Sequence, residues 1–252
     1  MFGDKLARFF RDKGPVLVAY SGGIDSSVLA KAAYDALGED ALAVTFDTPT
    51  ITRSELALAK KTAKRIGIRH VVERYSELWD KRFRENPGNR CYFCKKKMAE
   101  RLRKVAGKHG IKLIVEGTNA EDLKGERPGY KALKEAGISS PLAELGFTKN
   151  QVRALARRHG LNWDKPSSAC LASRIPTGKE VTYGRLRLVE DAEECLKSLG
   201  IRQVRVRLVP PDCRDARIEV EKKDFKSVLE NAEKIRKSLP FRRISLDLSP
   251  YS

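Results

Sequence analysis

The apolar positions fall into short unbroken runs separated by longer stretches with helical spacing. Val16 to Tyr20 is apolar without alternation, the pattern of a parallel strand covered on both faces. Ser26 to Leu37 reads as a helix closed by Gly38, and Ala41 to Phe46 as a second strand. A helix over Ser54 to Ile66, stopped by Gly67, leads to a third strand at His70 to Arg74. The spacing then predicts a helix over Lys95 to Lys108, a fourth strand over Leu113 to Gly117, and a helix over Lys149 to His159. Strands separated by helices of this length imply right-handed crossovers, hence an α/β fold with a doubly wound parallel sheet. Such sheets bind ligands at the carboxyl ends of their strands, where Ser21, Phe46 to Thr48 and Gly117 to Asn119 fall.

Beyond Pro176 the pattern changes. A helix over Tyr183 to Leu199, alternating edge strands at Gln203 to Val209 and Arg217 to Glu221, a helix over Asp224 to Leu239 and a strand at Arg243 to Leu248 describe a smaller α+β domain. The expected division is therefore 1–178 and 179–252, with a boundary near Thr177 to Lys179.

The turn after the first strand carries the clearest chemistry. In Tyr20-Ser-Gly-Gly-Ile-Asp-Ser-Ser27, a strand, a glycine turn and a helix start aim several backbone N–H groups and the positive end of a helix dipole at one point. Gly22 and Gly23, with the strand end at Ala19, let the backbone approach a phosphate, and Ser21, Ser26 and Ser27 add hydroxyls. Asp25 can hold a water or Mg2+ bridging phosphate oxygens. Neither the lysine-bearing P-loop spacing nor the dinucleotide glycine pattern is present. The turn resembles the pyrophosphate loop of PP-loop ATP pyrophosphatases, which transfer AMP and release pyrophosphate.

Composition sets the limits. No run has the length of a membrane span and Met1 to Lys13 lacks an apolar leader core, so a cytoplasmic protein is expected. The net charge of +18 is concentrated in residues 1–179, with 35 basic against 20 acidic side chains. This excess suits either a charged surface with both signs interspersed or the steering of a small, highly anionic substrate. An RNA-binding face is the alternative, though no basic stripe with interleaved aromatics stands out.

Five cysteines fit a reducing compartment. Cys91 and Cys94 form a C-x-x-C, read as lying in a turn, and Cys170 stands alone in a distant segment. Two thiolates on one side of a turn with a third from elsewhere supply three soft ligands, enough for a 4Fe-4S cluster that keeps one iron open. The alternatives are a structural Zn2+ site completed by Cys195 or Cys213, or thiols without metal. Cys195 falls on the apolar face of a predicted helix, the ordinary place for a small buried thiol.

Taken together, these segments resemble the LarE family of ATP-dependent sulfur transferases. The resemblance rests on the Tyr20 to Ser27 turn, Glu116-Gly-Thr-Asn-Ala-Glu-Asp122, Arg127-Pro-Gly129, Ser140-Pro-Leu142 and, above all, Trp163-Asp-Lys-Pro-Ser-Ser-Ala-Cys-Leu-Ala-Ser-Arg-Ile-Pro176. Thr177 departs from it, since a tyrosine usually follows that proline. The resemblance implies sulfuration of a small anionic pyridinium mononucleotide on the way to the nickel-pincer cofactor, and a homo-oligomer. Members deliver sulfur either by giving up the cysteine at the place of Cys170 or through three cysteines holding a cluster. With Cys91, Cys94 and Cys170 all present, this chain resembles the cluster type.

The implied site is specific. A substrate carboxylate attacks the α-phosphorus of ATP, and sulfur then displaces AMP. Phe46, Arg53, Gly117, Thr118 and Asp122 join the Ser21 to Ser27 loop around ATP and Mg2+. Cys170 and Asp25 are expected to act in the chemistry, and Arg174 to anchor a substrate carboxylate or phosphate through its fork. Ser173 and, by resemblance, Glu193 are expected to contact the substrate, while Arg205 and Arg207, alternating on one strand face, are placed to grip its phosphate. The sulfide donor stays unidentified, and tRNA thiolation by the same ATP loop is the alternative function.

Overall fold

A computed structural model describes residues 2–123, 125, 127–164 and 169–249. The chain divides into two compact units, Met1–Ser76 with Asn89–Ser168, and Glu77–Gly88 with Ala169–Ser252. This partition differs from the single boundary expected near 177–179, because an early excursion belongs to the later unit. Asn86, fully buried, donates from Nδ2 to the carbonyls of Ile175 at 3.2 Å and Pro176 at 2.8 Å. The N–H groups of Gly178 and Val181 donate in turn to the carbonyls of Asn86 and Arg84.

The elements up to residue 158 are α1 (Phe2–Lys13), β1 (Val16–Ala19), α2 (Ile24–Leu37), β2 (Ala41–Asp47), α3 (Arg53–Ile66), β3 (Arg69–Arg74), α4 (Lys81–Arg84), α5 (Arg90–Lys108), β4 (Leu113–Val115), α6 (Pro128–Glu135), α7 (Pro141–Glu144) and α8 (Lys149–Arg158). Of these, α4 lies in the excursion. The first unit has the expected parallel sheet, in the order β3-β2-β1-β4. Both faces are covered, and the strand residues alternate between two cores. Val16, Val18, Ala41 and Ala43 pack with residues of α1, α2, α3 and α8, whereas Leu17, Leu42 and Val44 pack with residues of α5 and α6. An unbroken apolar run is what a strand between two helical layers requires.

The second unit continues with α9 (Tyr183–Ser198), β5 (Val204–Val209), β6 (Asp215–Val220), α10 (Phe225–Glu230), α11 (Ala232–Ser238) and β7 (Arg243–Leu246). Its sheet runs β5-β6-β7, with β5 antiparallel and β7 parallel to β6. The strand expected as an edge near Arg217 is thus the central one. The helix expected over Asp224 to Leu239 divides at Asn231, whose side chain donates back to the carbonyl of Ser227 at 2.8 Å. Ala192 and Leu196 of α9 close a core over Val204, Val206, Ile218 and Val220. Among the described residues no helix is long and apolar enough to cross a membrane.

Candidate active site

The Ser21 to Ser27 turn leaves β1 and enters α2 through a conformation that only glycine holds without strain. Gly22 has φ +72°, and a Cβ there would lie 2.7 Å from the Cα of Ala59. The turn is tied from within. Ser26 Oγ donates to the Gly23 carbonyl at 3.1 Å, accepts from the Ser21 N–H at 3.2 Å and meets Ser21 Oγ at 3.1 Å. Ser27 is also buried, with its hydroxyl 3.4 Å from that of Tyr20. The hydroxyls of Ser26 and Ser27, expected as phosphate donors, also make these contacts within the chain. The exposed Ser21 and the first N–H groups of α2, which have no partner one turn back along the helix, remain as the anion cradle.

A second layer holds the turn from behind. Thr45 Oγ1 donates to the carbonyl of Tyr20 at 2.8 Å, and His70 Nε2 lies 2.8 Å from the same Thr45 oxygen. Because the single hydroxyl proton of Thr45 is committed to Tyr20, His70 must donate from Nε2. Burial and the nearby Lys60 keep its pKa below the ordinary histidine value, consistent with a neutral ring.

The loop after β4 closes on the turn from the other side. Gly117 sits so near the start of α2 that a Cβ would lie 2.9 Å from the N atom of Ser26. Asn119, fully buried, donates from Nδ2 to Asp25 at 3.0 Å, while its Oδ1 accepts from the N–H groups of Glu121 and Asp122. Burial raises the pKa of Asp25 above the usual carboxylate range, with Asp122 adding to the rise and the Asn119 bond opposing it. Asp122 pairs with Arg127 at 3.1 Å and Lys149 at 3.4 Å. Glu116 accepts from the backbone N–H and the hydroxyl of Thr118 and from the Ser140 hydroxyl, which fixes the loop's base.

Glu116 was not among the expected site residues, and Asn119 was expected only as the end of the Gly117 to Asn119 loop. The sequence signal was their place in the Glu116 to Asp122 motif; what they bond to emerges only from the fold. Phe46 is buried, with its ring packed edge-on against Tyr75 at 5.2 Å. Arg53 is exposed as the first residue of α3, behind the Thr52 cap.

Cys91 and Cys94 lie in the first turn of α5 rather than in a loop, because the helix begins at Arg90 and not near Lys95. Their spacing sets both thiols on one helical face, Cys91 exposed and Cys94 half-buried. Gly129 at the start of α6 packs on this turn, where a Cβ would lie 3.7 Å from the Cβ of Cys91. The segment from Gly117 to Gly129 thus touches Asp25 at one end and Cys91 at the other.

In the other unit Cys170 is half-buried and opens the short helical turn Leu171–Arg174. Residues 165–168 of the matching motif lie outside the described residues. Arg174 is 5% exposed, and its fork is taken by Glu193 at 2.8 Å and 3.3 Å. Its remaining nitrogen donates to the Ala169 carbonyl at 2.9 Å, to Ser173 Oγ at 2.8 Å and, at 3.5 Å, to the Cys170 carbonyl. Glu193 also accepts from the N–H of Val206 at 3.1 Å. Arg174 and Glu193, expected on the substrate, pair with each other beside the Cys170 turn. Arg205 and Arg207 share one half-buried face of β5. Arg207 donates to Glu219 at 2.6 Å and to the carbonyl of Ser173 at 2.8 Å. Among the described residues, no three His, Cys, Asp or Glu side chains form a group that could hold a metal ion.

The asparagine synthase family model matches residues 2–84, which contain the Ser21 to Ser27 turn. Over 98% of its length the chain is 35% identical to pyridinium-3,5-bisthiocarboxylic acid mononucleotide synthase of Lactiplantibacillus plantarum, covering 90% of that protein. Uncharacterized proteins of Synechocystis, 39% identical, and of Methanocaldococcus jannaschii, 31% identical, match over 98% of the chain and 94% of their own lengths. The phosphate-binding turn and the full-length relatives agree: the chain belongs to the LarE family of PP-loop enzymes, and is an ATP-dependent sulfur-transferring enzyme.

Proposed function

We propose that this enzyme adenylates a carboxylate of pyridinium-3,5-biscarboxylic acid mononucleotide and replaces AMP with sulfur, in nickel-pincer cofactor biosynthesis in the cytoplasm. The observation that carries the reading is the Gly117 to Gly129 segment, which meets both the phosphate turn at Asp25 and the thiol turn at Cys91.

In the first step a carboxylate oxygen attacks the α-phosphorus, forming an acyl–phosphate bond as pyrophosphate leaves. The N–H groups at the start of α2 and the hydroxyl of Ser21 hold the departing pyrophosphate, and alignment with charge neutralisation supplies most of the catalysis. Asp25, fixed by Asn119, is the carboxylate that would hold Mg2+, with Asp122 near it in the second rank. In the second step sulfide adds to the acyl carbon, AMP departs with the bonding electron pair, and a thiocarboxylate remains.

Cys91, Cys94 and Cys170 are the soft donors proposed for a 4Fe-4S cluster, which would supply an open iron for the incoming sulfide; among the described residues they do not form one metal-holding group, so their assignment rests on donor chemistry and the LarE resemblance. Cys91 and Cys94 fit as neighbouring ligands on one helical face. Arg174 and Glu193 hold the backbone at Cys170, and Arg205 and Arg207 offer the face for the mononucleotide phosphate.

Anaerobic purification with iron, sulfide and zinc quantified, followed by mass spectrometry of Cys170 after turnover, tests the reading. Iron and sulfide are expected, with loss of transfer in Cys91→Ala, Cys94→Ala and Cys170→Ala but not in Cys195→Ala. Full activity in Cys91→Ala, or zinc in place of iron, rejects the cluster.

A further inference from the structure

Arg127, Pro128 and Gly129 form the start of α6, with Arg127 at the cap and Pro128 in the first helical position. Gly129 rests on the thiol turn, where a Cβ would lie 3.1 Å from Cγ of Lys95, 3.6 Å from the carbonyl oxygen of Cys91 and 3.7 Å from its Cβ. So close a seat favours a residue without a side chain. The Tyr92 hydroxyl donates to Glu135 at 2.5 Å, which joins α5 to the far end of α6 as well.

Arg127 reaches the other way. Its guanidinium pairs with Asp122 Oδ1 at 3.1 Å, and Asp122 is bonded twice to Asn119: its Oδ2 accepts from the Asn119 N–H at 3.3 Å, and its own N–H donates to Asn119 Oδ1 at 3.1 Å. Asn119 in turn holds Asp25 at 3.0 Å. Lys149 approaches the same Asp122 oxygen at 3.4 Å, so Asp122 keeps a cation even without Arg127. What Arg127 alone adds is the link from Asp122 to α6. A half-exposed pair of this kind contributes little to stability, so its effect is on position.

We infer that Arg127 is a positioning residue: through its pair with Asp122, nucleotide binding at the Ser21 to Ser27 turn seats the start of α6 on the thiol turn at Cys91. The inference rests on the ATP site proposed above, in which Mg2+ and the phosphates order Asp25 and Asn119. Ordering one end of a bonded chain lowers the cost of ordering the other, which couples the two turns without any ligand touching both.

The test is amide hydrogen exchange of the intact protein, read by mass spectrometry with and without a saturating non-hydrolysable ATP analogue and Mg2+. Exchange in residues 20–29 reports nucleotide at the phosphate turn, and exchange in residues 89–96 reports the thiol turn. In wild type the analogue is expected to slow both, the thiol turn by at least about fivefold. Arg127→Gln is expected to keep the slowing at 20–29 and lose it at 89–96, with the melting temperature nearly unchanged. Arg127→Lys, which restores a cation opposite Asp122, is expected to recover most of the slowing at the thiol turn. Slowing confined to 20–29 in wild type, or slowing at 89–96 that survives Arg127→Gln, would overturn the inference. No slowing at 20–29 would refute the ATP site itself, and the inference with it.

Discussion

The phosphate turn and the Cys170 turn hold reactive groups in place by opposite means. Around Ser21 to Ser27 the work is done by backbone: a glycine at positive φ, N–H groups at a helix start, and one serine hydroxyl that ties the turn together. Around Cys170 it is done by a buried ion pair, Arg174 with Glu193, which fixes the carbonyls of Ala169 and Cys170. A backbone cradle needs no compensating charge and is open to a ligand. A buried pair is rigid only while both members are present, since removing one leaves a charge without solvent. The first arrangement suits a polyanion that comes and goes, and the second a residue that must be held still.

Breaking the pair is the largest perturbation available. Glu193→Ala strands the guanidinium of Arg174 and removes the acceptor for the Val206 N–H, so a loss of about 3–5 kcal/mol of unfolding free energy is expected. Chemical denaturation followed by α9 and β5 amide exchange reads it. Glu193→Gln keeps an acceptor and should fall between the two, and a Glu193→Ala protein as stable as wild type would show that the pair braces nothing.

The corresponding break in the other unit is smaller and appears in binding as well as in stability. Gly22→Ala forces a side chain into positive φ and against Ala59. Strain of about 1–3 kcal/mol corresponds to ATP affinity weakened roughly fivefold to 150-fold. Equilibrium titration with a non-hydrolysable ATP analogue measures it, and an unchanged affinity would mean the turn is not where the phosphates lie.

What the sequence showed and what it hid follow the same division. Gly22, Asp25 and the four parallel strands are local patterns, written in glycine spacing and unbroken apolar runs, and the fold keeps them. The ion-pair partner of Arg174, Glu193, is nineteen residues away on α9 and itself accepts from the Val206 N–H on β5, and no spacing rule reports such pairings. The fork that a motif arginine offers a substrate is in this fold held by Glu193. Asn86 illustrates the same blindness: its bonds to Ile175 and Pro176 draw Glu77–Gly88 into the later unit across a separation of ninety residues. The start of α5 was misread for a nearer reason, since Asn89 forms no side-chain cap and the first turn carries no acidic residue.

The site carboxylate sharpens the contrast through pH. Asp25 is raised by burial, so its protonated form is favoured in the folded state; the associated stability is present at low pH and lost as pH rises through the folded pKa. Activity that needs the carboxylate runs the other way and falls as pH drops through that raised value. Asn119→Ala removes the bond that favours the charged form, so the acid limb of the pyrophosphate-release profile is expected to move to still higher pH. A limb that stays in place would exclude Asp25 as the titrating group.

The smallest effect belongs to the layer behind the turn. His70, lowered by burial and then by Lys60, is favoured neutral in the fold, so the folded state binds fewer protons than the unfolded chain between its depressed pKa and 6.5. Stability is therefore complete above that window and declines as pH falls through it. Protonation would also place a charge beside Thr45, whose hydroxyl supports the carbonyl of Tyr20 next to the phosphate turn. The melting temperature is expected to drop slightly across the window in wild type and to drop less in His70→Gln. His159 is lowered by partial burial too, so His159→Gln is the needed companion: flattening in His159→Gln with none in His70→Gln would assign the effect to His159 and detach His70 from the turn it stands behind.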